Sequence, residues 1–335
     1  MKMNTVMQMQ RHTFFAFALA GVSLLPGAAF AQKVWHHGMV EAKSDAGFVF
    51  MSDKGGFAEK RGIKLETVQF KGDALALRAL LAGELESYEG SPGAPMVAIS
   101  RGADVKVVGC YWPGLTYAII TKTEVKSPAE LKGKSFAISS PGALPDLFAR
   151  AVLEKYKISS SDVQFASMGS DVDRFRAVSA GIVGAAAVSS EFTPIVDKLG
   201  LKVLVHAHDV TPEYIRFCTY MSAKTIAARP DDAAKFLAAS IESLRYAMKN
   251  RDAVVKLTKT LTGSKDDDPR ASYVYDEVLK LSAIDPEMPI QQDKLAWMRD
   301  LFVKTGVLKA PVDLAKFIDN SVRDKALALT GPAKN

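Results

Sequence analysis

The chain lacks the short motifs that mark most catalytic and nucleotide sites. None of G-x-S-x-G, H-E-x-x-H, G-x-x-x-x-G-K-[ST] or G-x-G-x-x-G occurs in its 335 residues, which removes the usual serine-hydrolase, zinc-protease, P-loop and dinucleotide readings. Histidine is scarce, with 5 in all. His36 and His37 are adjacent and His206 and His208 alternate, but no third ligand stands at a zinc spacing, so neither a metal nor a cofactor is expected. Cysteine is scarcer still: Cys110 and Cys218 are the only two, free to pair or to sit buried as separate thiols. Basic residues exceed acidic ones by 6, yet they are scattered, with no basic arm or RNA-binding signature, so nucleic acid is excluded as a partner.

Long apolar runs are missing too. The one at residues 13–25 falls short of the roughly 20 residues that span a bilayer. It follows Lys2 and Arg11 and leads to Ala29-Phe30-Ala31, the three-part pattern of a secretory signal peptide with cleavage after Ala31. No Cys follows to carry a lipid. An exported, soluble mature chain is expected, long enough for two α/β lobes.

What is present is alternation, and then repetition. Strands are expected at 34–39, 63–70 and 105–110, with helices at 48–61 and 73–82 between them. The order recurs: strand 135–139, helix 145–157, strand 163–166, helix 172–180, then strands near Ala185 and Val203. "RALLAG" at 78–83 matches "RAVSAG" at 176–181, and Gly102 matches Gly200 at the same offset. Upstream, "EKRGI" ending at Ile63 and "EKYKI" ending at Ile158 are closer by three residues, the length of the insert Ser159-Ser160-Ser161. One register with one loop insertion describes two similar lobes. Strand-like segments at 116–122 and 216–223 lie where the chain would cross between them. The segment after Pro230 reads as helices that return to cover the first lobe, including 231–250, 252–261, 292–305 and 313–329. The expected division is signal peptide 1–31, first lobe 32–115, hinge crossing 116–122, second lobe 123–214, hinge return 215–223 and first-lobe helices 224–335.

In open α/β sheets ligands bind beyond the carboxyl ends of the strands. The loops there are small and hydroxylated: "EGSPGAP" at 89–95 in the first lobe echoes "SSPGALP" at 139–145 in the second. Helix starts after such loops offer unpaired N–H groups and partial positive charge to an anion. The same residues also suit ordinary caps and turns. Candidate head-group contacts are Ser44, Gly72, Ser91 and Gly142, joined by Ser139, Ser140 and Ala143. Arg216, in the return crossing, is the candidate guanidinium for a carboxylate or sulfonate. Tyr111, Trp112 and Phe192 are candidates for an apolar or planar body, and Glu191 would instead receive an amine. Further charges near the loops are Lys43, Lys71, Arg174, Glu89 and Asp173. No catalytic residue is assigned; the best acid/base pair the sequence offers is Glu191 with His206 or His208.

Five segments carry a resemblance: "GFAEKRGIKLETVQF" (56–70), "ALRALLAGELE" (76–86), "ISRGADVKVVG" (99–109), "SPAELKGKSFAISSPG" (127–142) and "AVSAGIVGAAAVSSEFTPIV" (177–196). With these the chain resembles the nitrate, taurine and aliphatic-sulfonate type of ABC-transporter substrate-binding proteins, a group that includes thiamine-precursor binders. The resemblance implies a periplasmic-binding-protein fold of type II, two α/β lobes with a two-strand hinge closing on one small molecule. It also implies a periplasmic monomer that is not an enzyme and that serves ABC permease and ATPase subunits. The chain departs from relatives at Gly184, where they commonly carry an acidic residue as Glu86 does in the first lobe. It departs again at Glu191, inserted before a delayed Pro194. The expected function is capture of a small organic anion, a carboxylate or sulfonate with an aromatic part among the options, for an importer. The alternatives are a binder of a thiamine-precursor-like pyrimidine, an enzyme on the same fold, and a ligand sensor for a membrane receptor.

Overall fold

A computed structural model describes residues 34–332; the expected signal segment 1–31 and its cleavage point lie outside the described residues. Among the described residues, ten strands form two five-stranded sheets. They are β1 Trp35–Val40, β2 Leu65–Phe70, β3 Ser87–Gly90, β4 Lys106–Trp112, β5 Tyr117–Lys122, β6 Ser135–Ile138, β7 Gln164–Ser167, β8 Ala185–Ser189, β9 Leu201–His206 and β10 Phe217–Met221. The first sheet has the order β2-β1-β3-β10-β4 and the second β7-β6-β8-β5-β9. Each therefore has one antiparallel strand set among parallel ones: β10 runs antiparallel to β3 and β4, and β5 antiparallel to β8 and β9. The repeat read from the sequence is a repeat of topology.

The segments expected as crossings are themselves interior strands, because β5 has sheet neighbours on both sides and so has β10. A run of backbone N–H and C=O groups buried between lobes needs such partners. The links proper shrink to residues 113–116 and 211–216. The disulfide question left open by the sequence is closed here: Cys110 and Cys218 are bonded across the β4–β10 ladder, where they are directly opposed.

The helices follow local chemistry. Asp73–Ala82 ends at Gly83, whose φ of 79° is the left-handed cap that suits glycine. The expected helix 48–61 is instead three one-turn pieces, Ala46–Val49, Met51–Lys54 and Phe57–Lys60. Gly55 and Gly56 break it, the second at φ 74°. Likewise 313–329 divides into Leu314–Phe317 and Ser321–Thr330, because Ile318 leaves the helix to bridge Val107 and partly cover the exposed edge of β4. Pro230–Ala247, the longest helix, packs on the first lobe through Phe236, which stacks on Trp35 at 5.2 Å. The return of the tail to the first lobe is only part of its path. Phe302 of helix Gln292–Lys304 shares one core with Leu147 and Phe148 of the second lobe, and Lys304 pairs with Glu154 there. Helix Arg270–Lys280 places Glu277 against Ser190. The lobes pack as one compact unit.

Candidate functional site

Between the lobes lies a cavity of about 340 Å³. Its first-lobe wall is the loop after β1 (40–43), the loop after β2 (71–75) and Arg216 with Phe217; its second-lobe wall is Tyr117 and the loops 139–145 and 169–174. These are the carboxyl ends of parallel strands, where the alternation of strand and helix places a site. The two echoing loops meet at its side: a Cβ on Gly93 would stand 2.8 Å from Leu147 Cδ1 and 3.3 Å from the Gly142 carbonyl. Glycine at 93 is what lets the lobes come this close.

Three helices start in the wall. Asp73–Ala82, with Gly72 as N-cap, and Leu144–Lys155, with Ala143 as N-cap, have no side-chain cap. Asp171–Ser179 is closed by a capping box of Ser170 and Asp173. The first two helix starts are therefore more open to a bound anion than the third. Part of the second is also spoken for, since the buried Asp146 accepts the Gly142 N–H at 2.8 Å and Arg150 Nε at 2.9 Å.

Arg216 occupies the floor. It is buried, with its guanidinium 4.4 Å from the Trp112 ring and 4.7 Å from that of Phe217. Nη1 donates to Thr116 Oγ1 at 2.8 Å and Nη2 is paired with Asp45. Its buried Nε has no partner among the described residues. Burial works against its charge, and Asp45, Tyr117 and Asp171 more than restore it.

The lobes are clasped beside the cavity. Lys43 Nζ meets Asp171 Oδ2 at 2.8 Å across the cleft, and the Ser44 N–H donates to Glu191 at 3.0 Å. Asp171 also holds Arg174 and accepts the Ser189 N–H at 2.9 Å. Burial would push the Asp171 carboxyl up, but the Arg174 and Lys43 charges overcome it and hold it well below the usual range. Its stability contribution is therefore present above the unfolded carboxylate pKa near 4 and is lost as pH falls through the lower folded value. Asp171→Asn is expected to lose about 3 kcal/mol at pH 7, because Lys43 and Arg174 stay buried without their counter-charge. It should also flatten the acid limb below about pH 4. Thermal melts across pH check this, and a variant with the parent's acid limb would refute it.

Asp73 behaves in the opposite sense. Burial pushes its carboxyl up to about 6, against the Ser91 N–H bond at 3.3 Å and the charge of Lys43. A raised folded value means stability is lost as pH climbs from about 4 to 6. Asp73→Asn should stabilise the protein by about 2 kcal/mol at pH 7 and by little at pH 4. Melts of both proteins at the two pH values decide it; an equal shift at both would show that the charge is not the cause.

The predicted residues divide into three groups. Gly72, Ser139, Ser140, Ala143 and Arg216 line the cavity, as do the charged candidates Lys43, Lys71 and Arg174. Ser44, Ser91, Gly142 and Glu191 stand behind it; Glu191 is buried against the Ser44 N–H, with its carboxyl pushed up by that burial. Tyr111, Trp112 and Phe192 are core residues and do not line it. The Tyr111 hydroxyl donates to Glu89 at 2.8 Å inside the first lobe, Phe192 stacks on Phe175 at 4.2 Å, and Trp112 packs edge-on against Phe48. The aromatic walls are Tyr117 and Phe217 instead. Sequence reasoning missed those two, together with Asp45, Asp73 and Asp171. The aspartates had one local signal, an acid in or just before the first turn of a helix beside a cleft loop, which normally marks helix stabilisation.

His206 and His208 stack on each other at 5.1 Å. Neither lines the cavity, and no hydrogen bond or ion pair joins either to Glu191 among the described residues. Among those residues, too, no group of three or more His, Cys, Asp or Glu side chains is placed to hold a metal ion.

Comparison with known proteins places this geometry. The sequence model of the NMT1/THI5-like family matches residues 43–254. Among solved structures, the alkanesulfonate-binding protein SsuA of Xanthomonas axonopodis pv. citri, bound to MOPS, superposes with a TM-score of 0.72 at 18% identity, over 85% of this chain and 97% of that one. The periplasmic nitrate-binding protein NrtA of Synechocystis PCC 6803 gives 0.69 at 14% identity, over 90% of each chain. The zinc-bound ligand-binding component of an ABC-type import system from Staphylococcus aureus gives 0.70 at 18%, over 88% and 99%. No curated protein matches the chain. At these identities the likeness speaks for the fold: two α/β lobes of the type II periplasmic-binding-protein kind, with the cleft between them.

Proposed function

The chain belongs to the NMT1/THI5-like family, and on that premise we propose that it is the solute-binding protein of an ABC importer, capturing a small organic anion between its lobes. One observation carries the reading. Two helix starts without side-chain caps and a buried arginine line one cavity between the lobes. N–H donors of this kind, fixed before the ligand arrives, suit a carboxylate or sulfonate head. A volume of about 340 Å³ is at the small end of ligand pockets, and Tyr117 and Phe217 suit a modest apolar or aromatic body. Contacts from both lobes would make binding favour the closed arrangement, which a permease can read. The protein would act as a periplasmic monomer after export, handing the solute to permease and ATPase subunits without chemistry. The solved relatives that bind alkanesulfonates or nitrate support the anionic class.

A second reading, a thiamine-precursor-like pyrimidine, has Asp73 in its favour, a half-buried carboxylate in the cavity wall able to accept from a ring amine. The enzyme reading has no joined acid/base pair behind it, since among the described residues Glu191 bonds the Ser44 N–H and the two histidines stack on each other. A thermal-shift screen over sulfonates, carboxylates, nitrate and pyrimidines separates the two ligand classes. A true ligand at 100 times its Kd should stabilise by about 2.7 kcal/mol. Stabilisation by pyrimidines alone would overturn the anion reading. Transport by the reconstituted permease, stimulated by the loaded protein, distinguishes an importer subunit from a sensor.

A further inference from the structure

Asp73 has an arrangement that capture of a bare anion does not explain. It is the first residue of helix Asp73–Ala82, where a carboxylate ordinarily serves its own helix start. Here it reaches instead to the end of β3, where Oδ2 accepts the Ser91 N–H at 3.3 Å. Oδ1 makes no hydrogen bond within the described residues. The chain keeps room for this placement, because a Cβ on Gly90 would stand 3.1 Å from Asp73 Cγ and 3.2 Å from Oδ1. Neither neighbouring cation pairs with it directly: Lys43 is committed to Asp171, and Arg216 to Asp45 and Thr116. Oδ1 is not among the buried unpartnered atoms of the described residues, so it stays open to a donor that arrives from the cavity Asp73 lines.

We propose, building on the reading of the cavity as an anion site, that Asp73 determines specificity by accepting a hydrogen bond from an N–H or O–H group that the ligand carries beside its anionic head. The ligand class is thus an amino or hydroxy acid, carboxylic or sulfonic, and simple anions such as nitrate or an unsubstituted alkyl acid are repelled by the same carboxylate. The burial that raises the Asp73 carboxyl is consistent with a group kept in place at the expense of stability. This arrangement makes the preference strong, since a site built to receive a donor leaves a polar group unpaired when the donor is missing.

Calorimetry with matched acids tests it: ethanesulfonate against isethionate, propionate against β-alanine, and benzoate against para-hydroxybenzoate. In at least one pair the donor-bearing acid should bind the native protein about tenfold or more tighter, and Asp73→Ala should bring that ratio close to one. Melting curves of the variant with and without the better ligand establish that it is folded. If both members of every pair bind equally to the native protein, the inference is overturned while the anion reading stands. A preference that survives in Asp73→Ala overturns it as well. If no acid of either kind binds, the anion reading fails and takes the inference with it.

Discussion

Arg216→Ala should abolish ligand binding and lower stability by about 3–5 kcal/mol, the usual result of leaving a buried charge without its partner. The guanidinium lies buried against the rings of Trp112 and Phe217, and it is the counter-charge of Asp45, itself only 6% exposed. Truncation strands that carboxylate and opens a void beside two aromatic rings. Lysine is no substitute, since an ammonium cannot stack on Trp112 while holding both Thr116 and Asp45. The double variant Arg216→Met with Asp45→Asn separates the two effects. It should regain much of the stability, because neither charge remains, but not the affinity, because the guanidinium in the cavity wall is gone. Melting and calorimetry on the three variants are sufficient. An Arg216→Ala protein that melts like its parent would mean that Asp45 is not buried as described. A double variant that binds normally would remove Arg216 from the site.

Loss of the Cys110–Cys218 bond should have a comparable effect on stability and little on affinity. The bond closes a loop with a sequence separation of 108, for which chain entropy gives about 4–5 kcal/mol. In a chain of this size that is a fall in Tm on the order of 10 °C. The bond joins β4 and β10, already adjacent in an antiparallel ladder, so the native state need not change when it is cut. Double substitution by serine, or reductant, should lower Tm while leaving calorimetric affinity at low temperature within about twofold. A loss of affinity alongside an unchanged Tm would reverse the assignment and make the bond a brace for the links to the other lobe.

The outline of the fold was legible because its punctuation is chemical. Gly83 and Gly181 end equivalent helices, and β-rich runs follow Gly102 and Gly200, so the repeat could be read without any structure. β3 was lost among the loops, since "SYEG" looks like a polar turn although all four of its residues are buried at the centre of the first sheet. The cleft loops were found by the strand-end rule, which needs only the order of elements. What could not be read was partnership. Lys43 and Asp171 are 128 residues apart, and no local pattern announces that a lysine in one lobe will neutralise a helix-start aspartate in the other. The aromatic reading failed for a related reason. Tyr111 and Trp112 come just before a link between the lobes, but edge-on packing against Phe48 and Phe217 holds the Trp112 ring in the core.

The order β2-β1-β3-β10-β4 also dictates when each half of the protein can become finished. β3 and β4 follow one another in the chain yet are not neighbours; the place between them stays vacant until residues 217–221 arrive. Every strand of the second sheet, by contrast, lies between residues 117 and 206. Contacts of short sequence separation form first, so the half nearer the N-terminus is the one completed last. A newly made chain would hold one edge of β3, and β4, without their partner until residues 217–221 are made, a useful delay for a polypeptide proposed to be threaded across a membrane before it folds.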